Sequence, residues 1–367
     1  MTATDIIPEG SRGSRTQLIV QIVVVLVVLG VLVFGVSPAP FVVERPGPVY
    51  NTLGDTTDGD ETVPIIDVEG APTYPTTGSL DLLTVYLDGS RERPISWFDV
   101  LAANLDPTKA VLDIDAVYPD GRTADEASEQ SAIDMEASQS NAVAAALTQL
   151  EIPYETRVVA MTIAEDTPAS EVLEPGDELV SAEGMPIVED SDLRAVVQQA
   201  GVGTPLTLDI VRDGEELSVE VTPVARSASD PSPMIGVLPG YRYVFPFDVE
   251  VRLQNVGGPS AGMMFALGIY DTLTPGELTG GERIAGTGTI TPDGEVGPIG
   301  GIVQKMYGAR SAGADWFLAP EANCSAVVGS VPDGLAVFAV DTLDEAVDVV
   351  EAIGAGQDLS AFATCES

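Results

Sequence analysis

A serine at position 260 lies within the segment GGPSAG (257–262), directly before an apolar run in which a helix is expected. Unpaired backbone N–H groups at a helix N-terminus can hold a developing oxyanion beside a nucleophilic hydroxyl. Gly258, Pro259 and Ala261 form the backbone of this candidate oxyanion loop. The same pattern also fits a capping serine on a glycine-rich turn, so the segment by itself leaves catalysis and capping open.

A serine nucleophile needs a base, and the composition restricts which base is available. The chain has no histidine, which excludes Ser–His–Asp and Cys–His arrangements and the common histidine-containing zinc sites. Of the 16 basic residues, only Lys109 and Lys305 are lysines, and arginine stays protonated at neutral pH. A neutral lysine amine is therefore the plausible base.

Lys305 lies in an apolar segment, GEVGPIGGIVQKMYGARSAG (294–313), early in a helix predicted to begin near Gly301. Its apolar neighbours are Ile302, Val303, Met306 and Ala309. An unperturbed lysine with a pKa of about 10.4 is neutral only about once in 2,500 at neutral pH. Lowering that pKa by about three units corresponds to roughly 4 kcal/mol, which burial can supply, and the helix N-terminus acts in the same direction.

Ser260 has two alternative interpretations. A penicillin-binding-type acyltransferase needs Ser-x-x-Lys, but the positions three residues before the two lysines are Asp106 and Ile302, which excludes it. A binding scaffold that has lost catalysis stays open, because the presence of the residues does not prove that they react.

The charge balance is strongly acidic: 16 basic against 57 acidic residues give a net charge of −41. Such a surface repels phosphate backbones, which argues against nucleic-acid partners. The sequence contains neither a D-x-[DN]-x-[DN]-G calcium loop nor a G-x-x-x-x-G-K-[ST] loop, so neither ATP nor another cofactor is expected. We interpret the acidic surface as a feature that keeps the protein soluble.

The N-terminal region contains an apolar run at 18–36, long enough for a helix that crosses a bilayer. Arg12 and Arg15 precede the run, and the next basic residue is Arg45, which predicts a cytoplasmic N-terminus with the rest of the chain outside. A signal peptide is the competing interpretation, since small residues follow at 37–39. The run is too long for a typical signal peptide, so an uncleaved anchor is predicted.

The segment Val158–Thr222 reads as strand, loop, helix (191–199) and a hairpin that turns at Asp213-Gly214. Its characteristic residues are Pro168, Ala169, Leu173, Gly176 to Val180, and Gly184. This order resembles a bacterial PDZ domain, and the resemblance implies peptide binding by strand addition beside a helix. No GLGF-like loop precedes the first strand, and a small β-rich domain without a ligand is the alternative.

The two chemically interesting segments together resemble the active site of the Lon proteolytic domain. Gly-Pro-Ser-Ala-Gly is followed by Pro-Ile-Gly-Gly-Ile-x-x-Lys, whose lysine lies 45 positions after the serine. The resemblance implies that Ser260 is the nucleophile, Lys305 the general base and Thr287 a threonine that hydrogen-bonds within the site. One departure is Gly257, because the family often has an acidic residue three places before the serine.

The elements that would position these residues also resemble the Lon fold. Strands are predicted at 63–68 and 80–87, and a helix at 131–150. The segment 76–87 and the helix around 132–150 look like the early strands and first helix of that fold. The predicted fold is therefore an α/β (α+β) Lon proteolytic domain with an inserted β-rich PDZ-like domain and one N-terminal transmembrane helix. The expected boundaries are 1–17 cytoplasmic, 18–36 transmembrane, 40–150 protease, 151–227 PDZ-like, 228–354 catalytic and 355–367 tail.

Nearly all of the chain after the anchor resembles the membrane-tethered Lon-like proteases of Gram-positive bacteria that carry a PDZ domain. This implies an ATP-independent endopeptidase in the cell membrane that acts on flexible, extracytoplasmic or membrane-proximal protein segments. It also implies a homo-oligomeric ring, with a hexamer as the expected form. Cys324 and Cys365 could pair in such an oxidising compartment; two unrelated thiols are the alternative.

Overall fold

The computed structural model describes residues 12–59, 61–119, 122–253 and 256–365. They form two compact units. Unit 1 contains the described residues up to Asp67, residues 74–142 and those from Val251 onward, and unit 2 contains residues 68–73 and 143–250. The protease-like segments before and after the PDZ-like segment therefore share one unit.

The elements are numbered in chain order. The helices are α1 (Arg12–Gly35), α2 (Trp97–Asn104), α3 (Ile114–Val117), α4 (Ala124–Gln149), α5 (Asp190–Ala200), α6 (Gly262–Leu273), α7 (Ile302–Ser311), α8 (Cys324–Val327) and α9 (Leu343–Gly354). The first strands are β1 (Phe41–Asn51), β2 (Asp55–Asp58), β3 (Glu61–Pro64), β4 (Ile66–Glu69), β5 (Ser79–Asp88), β6 (Ala110–Asp113), β7 (Glu155–Ile163), β8 (Glu178–Ala182), β9 (Met185–Pro186) and β10 (Leu206–Arg212). The remaining strands are β11 (Glu215–Val221), β12 (Val224–Ala225), β13 (Pro233–Met234), β14 (Val237–Val244), β15 (Asp248–Val251), β16 (Arg283–Gly286), β17 (Thr289–Ile290), β18 (Val296–Gly297), β19 (Trp316–Pro320) and β20 (Ala336–Val340).

Unit 1 is built on a six-stranded sheet in the order β20-β19-β16-β5-β1-β6. The strands from β20 to β5 run parallel, whereas β1 is antiparallel to both of its neighbours. All five residues from Ser79 to Leu83 on β5 are buried. Because successive strand residues point to opposite faces, the central strand is covered on both faces. Helix α6 packs on β5, and α7 packs on β1, β5 and β19.

Two predicted elements of unit 1 have different limits in the structure. The predicted strand 63–68 is split into β3 and β4 at Ile65, whose N–H donates to the carbonyl of Gly54 rather than to a neighbouring strand. The predicted helix 131–150 begins earlier, at Ala124. Thr123 and Glu126 form a reciprocal capping pair, in which each side chain accepts the other's backbone N–H. This cap lets the acidic segment form the first turns of α4.

Unit 2 contains an antiparallel sheet in the order β11-β10-β8-β7-β14, with β9 beside β8. The predicted hairpin is present between β10 and β11, and both Asp213 and Gly214 have positive φ, as a tight primed turn requires. The unit extends beyond the predicted end at 227, because β14 pairs along its length with β7. Residues 228–250, predicted to begin the catalytic part, therefore belong to unit 2.

Helix α1 contains the predicted apolar run. Residues 17–35 are long and apolar enough to cross a membrane, judged by length and composition, and nearly all of their side chains are exposed. A core helix of a soluble domain would instead bury one face.

In unit 1, a disulfide joins Cys324 on α8 to Cys365, which links the C-terminal segment to the domain.

Candidate active site

Ser260 lies two residues before α6, on a loop that is held by α4. The N–H of Gly258 donates to the carbonyl of Ser131 (2.7 Å), and Ser138 Oγ donates to the carbonyl of Pro259 (2.9 Å). A Cβ atom at Gly257 would lie 2.7 Å from the Cβ of Ser131, which is too close for two carbon atoms. A side chain at position 257 would therefore require a shift of Ser131 or of the loop, and glycine avoids this.

Lys305 enters the site from the first turns of α7. Gly301, which precedes the helix, has the left-handed conformation (φ +68) that glycine adopts at little cost. Lys305 is 2% exposed, and its apolar neighbours on the same helix, Ile302, Met306 and Ala309, are buried in one core cluster. Its Nζ donates to Ser260 Oγ at 2.7 Å. The two residues singled out from the sequence are therefore in direct contact.

Thr287 links the serine and the lysine. It follows β16, and its N–H donates to the carbonyl of Leu318 on the neighbouring strand β19 (3.2 Å). Its Oγ1 accepts from Lys305 Nζ (2.9 Å) and donates to the carbonyl of Ser260 (2.9 Å). The N–H of Gly288 donates to the same carbonyl at 2.9 Å. The backbone of Ser260 and the amine of Lys305 are thus both fixed from the end of one buried strand.

Burial lowers the pKa of Lys305 to about 8, and the carboxylate of Glu44 acts in the opposite direction. The ammonium form loses hydration in this apolar setting, which favours the neutral amine. Lowering the pKa from 10.5 to about 8 corresponds to roughly 3 kcal/mol. A neutral amine at this position can accept the hydroxyl proton of Ser260 across the 2.7 Å contact.

Glu44 was not identified from the sequence. It lies on β1 and is 8% exposed, a rare environment for a carboxylate. Its Oε1 is 2.6 Å from the place that a Cβ at Gly301 would take, so the glycine leaves room for it at the start of α7. Burial raises the pKa of Glu44, and the charge of Lys305 opposes that shift. In the sequence, the one indication of a buried carboxylate is that Glu44 directly follows the apolar residues FVV (41–43).

Two parts of the chain match known protein families. Residues 255–352 match the family model of the Lon protease (S16) C-terminal proteolytic domain, and residues 133–222 match that of the PDZ domain. The chain contains a Lon-type proteolytic domain. It also contains a PDZ domain. The Lon-type match includes Ser260, Thr287 and Lys305.

Similar proteins include several Lon proteases. Lon protease 2 of Bacillus subtilis is 32% identical over 107 residues, which is 28% of this chain and 19% of that protein. Lon protease 1 of Sorangium cellulosum is 40% identical over 93 residues, which is 24% of this chain and 11% of that protein. The match thus spans about a fifth or less of these relatives' lengths.

Solved PDZ domains are also similar to part of the chain. One, from an SdrC-like protein of Listeria monocytogenes, is 19% identical and covers 23% of this chain and 86% of that chain, with a TM-score of 0.21. Another, from an SdrC-like protein of Listeria innocua, is also 19% identical and covers 23% of this chain and 96% of that chain, with a TM-score of 0.22.

Within the PDZ domain, a groove of about 440 Å³ lies between α5 and β14. Its apolar lining includes Leu193, Val197, Ile235 and Val237, and its polar lining includes Arg194, Gln198 and Arg226. Strand β14 is at the edge of the sheet. The apolar–Gly–apolar segment centred on Gly236 directly precedes β14. The sequence has no such segment directly before β7, the first strand of the domain; this one precedes β14, the last strand, which pairs with β7.

The three residues of the predicted oxyanion loop differ in whether their backbone N–H can donate to a substrate oxygen. Proline has no N–H, so Pro259 cannot donate. The N–H of Gly258 is already bonded to Ser131. Ala261 is buried and is the N-cap residue of α6. Of the three, Ala261 is therefore the best placed to offer its N–H to a substrate oxygen.

Proposed function

We propose that this protein is an ATP-independent, membrane-anchored serine endopeptidase that hydrolyses peptide bonds through a Ser260–Lys305 dyad. The observation that carries the proposal is the 2.7 Å contact between the hydroxyl of Ser260 and the amine of Lys305, which is buried and has a lowered pKa. With no histidine in the chain, this amine is the base within hydrogen-bonding distance of the serine.

In the first half of the reaction, the neutral amine takes the hydroxyl proton while Ser260 Oγ forms a bond to the carbonyl carbon. The carbonyl oxygen becomes an oxyanion, which the N–H of Ala261 at the start of α6 stabilises. The tetrahedral intermediate then collapses and breaks the C–N bond. The ammonium of Lys305 gives its proton to the departing amine, which leaves an acyl-enzyme and a neutral lysine.

In the second half, Lys305 removes a proton from a water molecule that attacks the acyl carbon. Collapse of the second intermediate breaks the bond to Ser260 Oγ, which regains its proton from Lys305. Thr287 holds the amine in place throughout, because its Oγ1 bridges Nζ and the carbonyl of Ser260. Each proton taken up by Lys305 is returned, so the dyad ends in its starting state.

The PDZ domain is proposed to capture the substrate. Its edge strand β14 can accept an extended peptide as an additional strand, and the adjoining apolar groove can receive a side chain. Since the sequence has no ATP-binding loop, the proposed substrates are protein segments that are already flexible. The proposal includes a homo-oligomeric ring, with a hexamer as the expected form.

The anchor is proposed to be α1, with a cytoplasmic N-terminus and both domains outside the cytoplasm. Arg12 and Arg15 lie on the N-terminal side of the span, as the positive-inside rule requires. The disulfide between Cys324 and Cys365 supports the same sidedness, because such bonds persist in oxidising compartments.

The test compares three variants of the full chain in detergent or nanodiscs, with an unstructured polypeptide as substrate. Ser260→Ala and Lys305→Met are expected to lose cleavage by a factor of about 10⁴ or more. Lys109→Met is the matched control, because Lys109 is the other lysine of the chain and pairs with Asp106. Unchanged cleavage by the first two variants would show that the dyad is not catalytic and would favour a binding scaffold.

A further inference from the structure

Helix α2 carries apolar side chains on two opposite faces. Val100 and Ala103 are buried against unit 1. Phe98, Leu101 and Leu105 are 39%, 59% and 79% exposed, and Leu105 is the C-cap residue. At about 100° per residue, the mean direction of these three lies about 160° from that of the buried pair. We call them the outer face of α2.

An exposed apolar helix face of this kind indicates a binding surface, since a helix that is apolar on all sides is normally covered. The helix sequence WFDVLAAN contains no lysine or arginine. Its one charged residue, Asp99, forms a capping box with Ser96 at the helix start. The partner of the outer face is therefore apolar rather than charged.

The position of α2 indicates what that partner is. The start of α2 lies beside the end of α1 in space. The ring of Phe34 stacks on Trp97 with centroids 5.3 Å apart, and the N–H of Trp97 donates to the carbonyl of Ser37 at 3.3 Å. The ring of Phe98 lies against the backbone at Gly35, in the space that a Cβ at this position would take. The two helices are thus joined by direct contacts.

The outer face continues the exposed apolar surface of α1. At the end of α1, Val33 and Phe34 are 62% and 60% exposed, and Val36 just beyond it is 68% exposed. Tryptophan and tyrosine concentrate where membrane spans meet the polar boundary of a bilayer, and Trp97 lies at such a place. Here, Phe34, Phe41 and Trp97 form one ring cluster at this point.

We propose that α2 lies in the boundary layer of the membrane that α1 crosses, with Phe98, Leu101 and Leu105 in contact with lipid acyl chains. The inference rests on the membrane anchor of the proposed function. The net charge of −41 opposes attraction to anionic lipids, so insertion is hydrophobic and occurs in zwitterionic bilayers. As a consequence, unit 1 is fixed against the membrane at two adjoining helices instead of swinging on a single span.

The test places a fluorophore at three single cysteines in the full chain, reconstituted in phosphatidylcholine nanodiscs. No cysteine among residues 12–59, 61–119, 122–253 and 256–365 is free, so Leu101→Cys, Val33→Cys and Val331→Cys each add one labelling site. Val331 is an apolar residue of unit 1 that is 39% exposed, and it serves as the matched control. The readout is quenching by phosphatidylcholine that carries a nitroxide near the headgroup or deep in the chain.

The expected result is that the probe at 101 is quenched at least twofold more than the probe at 331, most strongly by the shallow nitroxide. The probe at 33 is quenched as well. If 33 is quenched but 101 behaves like 331, the proposal about α2 is wrong while the anchor stands. If 33 is not quenched, the anchor itself is wrong. If the probe at 101 escapes quenching and the unlabelled Leu101→Cys variant forms a disulfide between copies, the outer face is a contact between protomers and the proposal is overturned.

Discussion

The pH dependence of cleavage tests the reasoning about Lys305 most directly. With a pKa of about 8, the amine is neutral in about 9% of molecules at pH 7 and in about 91% at pH 9. The kcat/KM is therefore expected to rise about tenfold over this interval and then to level off. A solvated lysine with a pKa of about 10.4 would give a rise of about a hundredfold without a plateau.

The assay is cleavage of an uncharged fluorogenic peptide by the full chain at constant ionic strength. The peptide must not titrate, so that the profile of kcat/KM reports the ionisation of the free enzyme. A near-hundredfold rise that still continues at pH 9 would refute the lowered pKa. A profile with no dependence on pH would refute the role of Lys305 as base. Intrinsic fluorescence at each pH value checks that the protein stays folded.

Three further changes have defined outcomes. Glu44→Gln removes the negative charge that raises the pKa of Lys305, so the midpoint of the same pH profile should move below about 8; an unchanged midpoint would show that Glu44 does not act on the amine. Lys305→Met should raise the free energy of unfolding at pH 7 by up to about 3 kcal/mol, measured by chemical denaturation. At pH 7 the folded wild type holds a buried charge, because the pKa of Lys305 is lower in the folded state (about 8) than in the unfolded state (10.5). The wild type therefore gains this stability only as the pH rises from about 8 to 10.5, whereas methionine never carries the charge. Asp271 is 1% exposed, its Oδ2 has no hydrogen-bond partner among the residues that the structure describes, and burial raises its pKa to about 6. A raised carboxyl pKa costs stability as pH rises from 3.8 to about 6, so Asp271→Asn should raise the melting temperature at pH 7.5 and leave it nearly unchanged at pH 4.

Much of the site could be predicted from the sequence because composition alone restricts the chemistry. With no histidine and two lysines, a serine-based reaction has few candidate bases, and one of these lysines lies in an apolar helix. The spacing of Ser260 and Lys305 and the motifs around them predict the Lon-type domain, which the family match supports. The length and composition of α1 follow from the sequence in the same way, because a span is a local property.

Tertiary structure decided the features that depend on contacts between distant segments. Glu44 is far from Lys305 in sequence, and only the packing of β1 against α7 brings its carboxylate to the start of that helix. The end of unit 2 depends on the pairing of β14 with β7. These strands are far apart in the sequence, so the pairing cannot be inferred from local patterns. The pKa of Lys305 likewise depends on burial by the whole domain. Burial and strand pairing are properties of the folded chain, whereas motif spacing and hydrophobic length can be read residue by residue.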